Sequence, residues 1–234
     1  MTASEDLVLF ALFPYAAVVT AVVVGVIRFR LNRFSYSSLS SQFLESRRLF
    51  WGSVPFHYGI LVVLAGHLIG FLFPRSVAAF NSVPLRLFIL EATGLAFGLL
   101  TLFGLIVLVH RRITTPRVRA VTSRMDVVLL VLLLSQVVTG IYTAVFYRWG
   151  SAWYVHTATP YLWSLLKLAP ETQYMAALPV VVKLHVLNAF ALVAVIPFTR
   201  LVHLLVVPIT YLWRPYQLVV WHRRLPVSRR TIAG

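Results

Sequence analysis

The sequence contains no cysteine, and acidic residues are scarce: there are 6 Asp and Glu against 21 Lys and Arg in 234 residues. Without thiols the chain forms no disulfide, provides no thiolate ligand for an iron–sulfur cluster and lacks the Cys-x-x-Cys-His motif for covalent haem. Any haem in this protein must therefore be held by axial ligands and packing alone, and any iron–sulfur cluster must belong to a partner.

Charged residues of either sign make up only 12% of the chain, whereas 60% of its residues are hydrophobic. A soluble domain of this length exposes too much surface for so little charge. The apolar residues form blocks long enough to cross a bilayer, where about 20 residues suffice, and backbone polar groups in lipid must be paired within helices. We therefore predict an all-α integral membrane bundle of five transmembrane helices in a single domain, residues 1–234. The predicted spans are 7–27, 49–73, 87–109, 127–147 and 177–207, and a tail covers 208–234.

The distribution of basic residues predicts the orientation of these spans. From the N-terminal tail through the four loops to the C-terminal tail, Lys and Arg number 0, 5, 2, 5, 2 and 5. The positive-inside rule places the N-terminus outside and the C-terminus in the cytoplasm. Because the arginines lie between apolar spans, we expect them to meet lipid headgroups and not nucleic acid. The start, Met1–Asp6, has no Lys or Arg, so the first span is not expected to be a cleaved signal peptide.

Four of the seven histidines lie within predicted spans: His57 and His67 in span two, His185 and His203 in span five. An ionisable residue inside the membrane is costly unless it finds a partner. One such histidine alone is explained equally well as a neutral donor to a carbonyl of a neighbouring helix. The two spans run in opposite directions, however, and each carries one histidine per leaflet. This arrangement predicts two bis-histidine haem sites, His57 with His203 on the inside and His67 with His185 on the outside.

The spacing of the histidines differs between the two helices. Ten residues separate His57 from His67, a rise of ~15 Å, and eighteen residues separate His185 from His203, a rise of ~27 Å. Sloped haems, helix tilt and a break at Pro197 are expected to absorb the difference. The remaining histidines lie at span ends or in loops and are expected to be ordinary interfacial residues: His110, His156 and His222.

Further residues suit haem pockets or helix packing. Three glycines of span two are expected to let a flat macrocycle approach the backbone: Gly59, Gly66 and Gly70. Arg200, near the inner histidine, and Lys183, at the outer end, are candidates to pair with haem propionates, although both side chains are explained equally by snorkelling to headgroups. Gly94 and Gly98, four residues apart in span three, predict close helix packing.

Several segments resemble the gamma subunit of respiratory nitrate reductases, the cytochrome b membrane subunit. They are Phe56-His57-Tyr58-Gly59-Ile60-Leu61 with Gly66-His67, Pro116-Arg117-Val118-Arg119-Ala120, Leu184-His185, Pro197-Phe198-Thr199-Arg200-Leu201-Val202-His203 and Tyr216-Gln217-Leu218-Val219. The resemblance covers nearly the whole chain, from Phe13 to Val220. It places the family's four ligands of two non-covalent b haems on the same four histidines.

The resemblance also implies a function. Such subunits lie in the prokaryotic cytoplasmic membrane, oxidise quinol at its outer side and pass electrons through an outer and an inner haem b. A cytoplasmic iron–sulfur (beta) subunit receives them and feeds a molybdenum catalytic (alpha) subunit that reduces nitrate. The soluble subunits are expected to dock on the arginine-rich loops and on a tail with these anchors: Trp213, Arg214, Tyr216 and Trp221.

The expected quinol site lies near the outer haem and consists of Gly66, His67, Arg86 and Glu91. The family carries a lysine in this region, and Arg86 is the nearest cation here. Arg86 or the His67 nitrogen not bound to iron is expected to bond a quinol oxygen, and Glu91 to accept a proton. A carboxylate at this position is also explained by its place near a helix N-terminus.

Two other interpretations fit the sequence. One is a related di-haem b subunit that serves a heterodisulfide-reductase-like or sulfite-reductase-linked complex, because residues inside the membrane do not name the soluble acceptor. The other is a haem-free anchor or transporter that uses intramembrane histidines in a proton relay. The paired depth of the histidines argues against a relay, which needs no matched partner on a second helix.

Overall fold

The computed structural model describes residues 3–36, 44–148 and 153–205, and all the regular secondary structure in these ranges is helical. Five helices are long and apolar enough to cross a membrane, as predicted; we number them α1 to α5. They are α1, Ser4–Leu31; α2, Arg47–Leu72; α3, Pro84–Thr114; α4, Arg124–Tyr147; and a fifth, Val180–Phe198, whose α-helical part, Val180–Val195, is α5. The predicted tail 208–234, with its four docking anchors, lies outside the described residues.

Short helices connect the long ones. They are Pro74–Asn81, Pro116–Ala120, Trp153–His156, Ala158–Leu166 and Gln173–Ala176. The loop between α4 and α5 packs partly inside the bundle. Its Tyr161 is fully buried, and the hydroxyl donates to the carbonyl of Phe10 in α1 at 2.9 Å. Tyr15 donates to the carbonyl of Leu165 at 3.0 Å, so this loop is fastened to α1.

The fifth span is not one continuous α-helix. The α-helix ends at Val195, a 3-10 turn follows over Ile196–Phe198, and a second 3-10 segment covers Arg200–Leu205. Pro197 explains the end of the helix, because it has no N–H to donate and its ring clashes with the preceding turn. His203 therefore lies on a 3-10 segment, and the rise of ~27 Å expected for a continuous α-helix from His185 to His203 does not apply.

Large apolar side chains cover the outside of the bundle. Leu61, Phe103 and Val131 are 59%, 51% and 62% exposed, and each lies near the middle of a long helix. Exposed apolar surface on this scale is unfavourable in water and favourable in lipid. The outer faces of the helices are therefore lipid-facing, and polar function must lie between them.

The closest helix contact joins α2 to α3 through small residues. A Cβ added to Gly104 of α3 would lie 2.5 Å from the backbone nitrogen of Phe56, and one added to Gly52 of α2 would meet Leu108 at 2.8 Å. Gly59 of α2 likewise faces Thr101 of α3. Lipid does not drive helices together by hydrophobicity, so close backbone approach of this kind stabilises the pair.

Replacing Gly104 by Ala is expected to lower the melting temperature of the protein in detergent. The added methyl group meets backbone, which cannot swing away, so the helices must separate at a cost of about 1–3 kcal/mol. Gly98→Ala in the same helix is the matched control, because its Cβ would meet Ile141 at an ordinary 3.5 Å. Equal melting temperatures for the two variants would contradict this account of the contact.

Candidate functional site

The four intramembrane histidines form two pairs between α2 and the fifth span. The ring centres of His57 and His203 are 6.3 Å apart, and those of His67 and His185 are 6.4 Å apart. A metal ion bonded to two opposed imidazole nitrogens at about 2 Å each would hold the ring centres roughly 6 Å apart. The structure thus brings together the partners that depth matching predicted, at a spacing suited to one metal ion per pair.

The pairs face each other across a gap. Among the described residues, α2 packs mainly on α3, while α5 packs on α4 and α1. Since α2 and α5 do not pack closely on each other, the space between them is spanned chiefly by the histidine rings. His57 and His203 lie toward the end of the bundle that carries Arg47, Arg111 and Arg124, which we call the arginine-rich end; the other pair lies toward the opposite end.

Three of the rings are oriented by backbone carbonyls. Nδ1 of His57 lies 2.7 Å from the carbonyl oxygen of Ser53, Nδ1 of His67 lies 2.8 Å from that of Val63, and Nδ1 of His203 lies 2.6 Å from that of Arg200. A carbonyl oxygen only accepts, so Nδ1 must donate the proton. Nε2 then carries the lone pair, which is the tautomer a metal ligand needs.

The fourth ring, His185, is oriented by side chains of α4 that the sequence analysis missed. The Thr139 hydroxyl donates its proton to the backbone carbonyl of Ser135. The Thr139 hydroxyl oxygen therefore accepts from Nδ1 of His185 at 3.0 Å. Gln136 Nε2 lies 3.1 Å from Nε2 of His185, and Asn188 donates to the Gln136 amide oxygen at 2.7 Å. The available signal was the presence of Gln and Asn inside apolar spans, where polar residues mark functional positions.

A cavity of about 270 Å³ adjoins the pair at the opposite end, between α2, α3 and α4. Its lining includes Gly66 and His67 of α2, Gly94 and Gly98 of α3, and Gly140 of α4. A Cβ added to Gly140 would also lie 2.9 Å from the His185 ring, so His185 packs against one wall residue of the cavity, while His67 lines it. Gly94 and Gly98, which were predicted to allow close helix packing, both line this space, and a Cβ on Gly98 would meet Ile141 of α4 at an ordinary 3.5 Å.

Two of the three glycines predicted to let a macrocycle approach, Gly59 and Gly70, pack against side chains instead. Gly59 accommodates Thr101 of α3, and Gly70 accommodates the ring of Tyr154, which a Cβ would approach to 3.0 Å. Of the three predicted glycines, Gly66 alone lines the cavity. Sequence could not separate these roles, because each glycine permits close approach whatever approaches it.

The two remaining residues of the predicted quinol site lie beyond the cavity lining. Arg86 is exposed and its guanidinium lies 5.6 Å from the ring centre of Phe80. Glu91 forms a salt bridge with Arg148, from Oε2 to Nη2 at 2.9 Å. On α3 they stand one turn before Leu90 and Leu95, which both line the cavity. The structure thus places them one turn beyond residues of the cavity wall and outside its lining.

Arg148 is a residue that the sequence analysis did not single out. It ends α4 in the left-handed region, with φ 46°, an uncommon conformation for a residue with a side chain. Its guanidinium reaches α3 and binds Glu91 through both Nε and Nη2. The second oxygen of Glu91, Oε1, is buried with no hydrogen-bond partner in the described part of the chain. A buried carboxylate oxygen of this kind is able to accept a proton.

The arginine-rich end is organised by three ion pairs around two carboxylates. Asp126 of α4 is 5% exposed and binds Arg200 at 2.7 Å and Arg112 at 3.1 Å. Glu45 binds Arg111 at 2.6 Å. Partial burial opposes ionisation of Glu45, but the backbone N–H of Arg48 and the Arg111 guanidinium outweigh it and hold the pKa of Glu45 below its usual value.

Both cations proposed for propionates have protein partners. Arg200 binds Asp126, and Lys183 donates to the carbonyl of Ala176 at 2.8 Å. His110 and His156 are exposed and lie outside the two pairs, and His222 lies outside the described residues. The geometry therefore concentrates its candidate metal ligands in the two facing pairs.

Five apolar helices, with polar groups gathered between them around two histidine pairs, define a multi-pass membrane protein with an internal site. Comparison with known proteins narrows that class. The sequence profile of the nitrate reductase gamma subunit family matches residues 6–222. The chain belongs to this family and is a membrane subunit of the nitrate reductase class of oxidoreductase.

Curated relatives agree with the profile. The chain is 30% identical to the nitrate reductase gamma chain of Bacillus subtilis (strain 168) over 93% of this chain and 98% of that one. It is 31% identical to the respiratory nitrate reductase 1 gamma chain of Escherichia coli (strain K12), over 90% and 95% of the two chains. It is also 34% identical to the nitrate reductase-like protein NarX of Mycobacterium tuberculosis, of which the match covers 34%.

Proposed function

We propose that this chain is the quinol-oxidising di-haem cytochrome b subunit of a respiratory nitrate reductase complex. The observation that carries the proposal is the pair of histidine ring contacts, at 6.3 Å and 6.4 Å, between two helices that otherwise stand apart. A proton relay needs no such matched spacing. Membership of the nitrate reductase gamma family favours nitrate reductase over the heterodisulfide-reductase-like or sulfite-reductase-linked alternative.

The residues present fit two non-covalent b haems. His57 and His203 would hold the inner one, and His67 and His185 the outer one, with Nδ1 of each ring committed to a hydrogen bond that orients it. Nε2 of His185 accepts from the Gln136 amide in this structure, so Gln136 would have to turn away for His185 to bind iron. When bound, haem b supplies one-electron redox chemistry. Beside the outer pair, the cavity is lined mainly by aliphatic side chains together with four glycines, an apolar wall that suits the face of a flat ring.

The proposed quinol site lies at the outer mouth of this cavity. A quinol is apolar apart from its two hydroxyl groups, so it would reach the site from lipid and meet few polar groups there. Gly66 and His67 line the cavity, while Arg86 and Glu91 stand one turn above its wall. We assign Arg86 the role of bonding a quinol oxygen and Glu91 that of accepting a proton, with Arg148 holding one oxygen of Glu91 and leaving Oε1 for the proton.

The orientation and the partners complete the proposal. The alternating count of basic residues in the loops puts the arginine-rich end in the prokaryotic cytoplasm. Electrons released from quinol outside would then cross toward the inner pair and leave to a cytoplasmic iron–sulfur subunit. A molybdenum catalytic subunit would consume them in nitrate reduction. In this arrangement the membrane chain separates charge, because protons stay outside while electrons move inward.

A reduced-minus-oxidised visible spectrum of the purified chain tests the proposal. We expect the sharp bands of low-spin b-type haem and a ratio of two haems per chain, quantified after extraction. Denaturing electrophoresis should show no haem bound to the polypeptide, because there is no cysteine to attach it. A chain expressed with adequate haem supply that has no visible absorbance would refute the proposal and favour the proton relay.

A further inference from the structure

The segment that carries His203 has little local stability of its own. It consists of two short 3-10 pieces, Ile196–Phe198 and Arg200–Leu205, separated by Thr199 in an extended conformation. Short 3-10 runs have poorer hydrogen-bond geometry than an α-helix. A ligand on such a segment holds its position only if neighbouring helices fix the backbone.

One fixing contact comes from α4. Arg200 Nε donates to Oδ1 of Asp126 at 2.7 Å, and Arg200 Nη2 lies 3.3 Å from Oδ2. The carbonyl oxygen of the same Arg200 accepts from Nδ1 of His203 at 2.6 Å. A single residue thus joins the Asp126 carboxylate to the histidine ring, so a displacement of Arg200 must also displace or rotate the ring.

The carboxylate of Asp126 is itself held by bonds to two helices, which makes it a suitable anchor. Its Oδ2 accepts from the backbone N–H of Ser123 at the start of α4. The Ser123 hydroxyl completes a capping box by accepting from the backbone N–H of Asp126, a bond that does not involve the carboxylate. Arg112 of α3 donates to the same Oδ2 at 3.1 Å. The anchor therefore belongs to two long helices, α3 and α4.

A second contact holds the earlier piece. Arg28 of α1 donates through Nη1 to the carbonyl of Pro197 and through Nη2 to that of Ser35 at 2.7 Å. The carbonyl of Pro197 lies beyond the end of α5, which ends at Val195. The segment is thus clamped at Pro197 by α1 and at Arg200 by α4.

We propose that Asp126 is a positioning residue for the inner haem: through Arg200 it sets the place and orientation of His203, although it touches neither the ring nor the metal. This inference rests on the proposed di-haem function. It gives Arg200 a structural role, the link between Asp126 and the His203 ring, that is separate from any contact with a propionate. It also explains why a carboxylate is buried in a chain with only 6 acidic residues.

Asp126→Asn tests the inference in the purified complex, with Ser123→Ala as the matched control. The amide keeps the shape but not the charge that holds Arg200, whereas Ser123→Ala removes a bond of the cap and leaves the Arg200 pair intact. For Asp126→Asn we expect at least a twofold loss of inner-haem content, or a changed midpoint potential and electron paramagnetic resonance signal of that haem. The outer haem should be unchanged, and Ser123→Ala should resemble wild type.

Further variants separate a specific from a general effect. If Asp126 acts through Arg200, the double variant Asp126→Asn/Arg200→Gln should be no worse than either single one. Should Asp126→Asn fail to accumulate, Arg200→Lys keeps the charge, loses the two-point contact, and should still alter the inner-haem signal alone. Unchanged inner-haem content, potential and signal in Asp126→Asn or, failing that, in Arg200→Lys, or equal damage in Ser123→Ala, would overturn the inference. A wild-type complex without b-type haem would instead overturn the proposed function.

Discussion

Replacing His67 or His185 with Ala is expected to abolish the outer haem and leave the inner one in place, and replacing His57 or His203 is expected to do the reverse. Each pair is the only imidazole pair at its depth among the described residues, with ring centres 6.3 Å or 6.4 Å apart. Because no covalent attachment is available, loss of one axial ligand removes much of what holds the group. Haem extraction should therefore give about half the wild-type content for all four variants.

Redox titration and electron paramagnetic resonance identify which haem has been lost. The two sites lie in different surroundings, one beside the Asp126 cluster and one beside Gln136 and the cavity, so their signals should differ. The exposed histidines outside the pairs provide controls, and His110→Ala and His156→Ala should retain both signals. The pairing would be refuted by a His67→Ala protein that loses the same haem as His57→Ala.

The second large effect concerns proton release. In proteoliposomes that contain the whole complex in one orientation, oxidation of a quinol to a quinone should release its protons on the face opposite the arginine-rich end. The electrons cross inward, and each is worth ~2.3 kcal/mol per 100 mV of membrane potential, so turnover should build a potential. Loss of a positioned proton acceptor costs 100-fold or more in many enzymes, and we expect Glu91→Gln to slow quinol oxidation by about tenfold or more.

Matched variants assign the contributions of the outer residues. Arg148→Gln should also slow quinol oxidation, because the Glu91 carboxylate loses the guanidinium that holds its Oε2 in position. Arg86→Ala should raise the quinol concentration needed for half-maximal rate, whereas Arg75→Ala, an exposed arginine earlier in the same connection, should not. Both haems must remain in every variant for the comparison to count. Proton release at the arginine-rich face would overturn both the outer site and the charge separation.

The histidine pairing shows how much of the site could be predicted from the sequence. The sequence predicted the five apolar spans, because lipid forces every span into a helix of about 20 residues or more. It also specified which histidines share a depth, since depth follows from position along a helix. The pairing of His57 with His203 and of His67 with His185 is therefore a prediction from depth alone, whereas the ring separations of 6.3 Å and 6.4 Å are seen only in the structure.

The residues that surround the histidines could be identified only from the tertiary structure. Gly59 and Gly66 stand seven residues apart on one helix, yet one faces Thr101 of α3 and the other lines the cavity. The roles of Gln136 and Thr139 depend on the rotation of α4 about its axis, which periodicity cannot define when a helix is apolar on nearly every face. The same ambiguity hid the salt bridge between Glu91 and Arg148, residues 57 positions apart.

The sequence by itself determined the class of protein, the number of spans, the family resemblance and the four candidate ligands. The class and the number of spans follow from composition and length, and the candidate ligands from position along single helices; the resemblance rests on matching sequence segments. The tertiary structure decided how the helices rotate and tilt against one another, and with that the gap between α2 and α5, the cavity at Gly140 and the clamp of Asp126 on Arg200. Those features depend on side chains from different helices, whose relative rotation is set by packing and not by any local pattern.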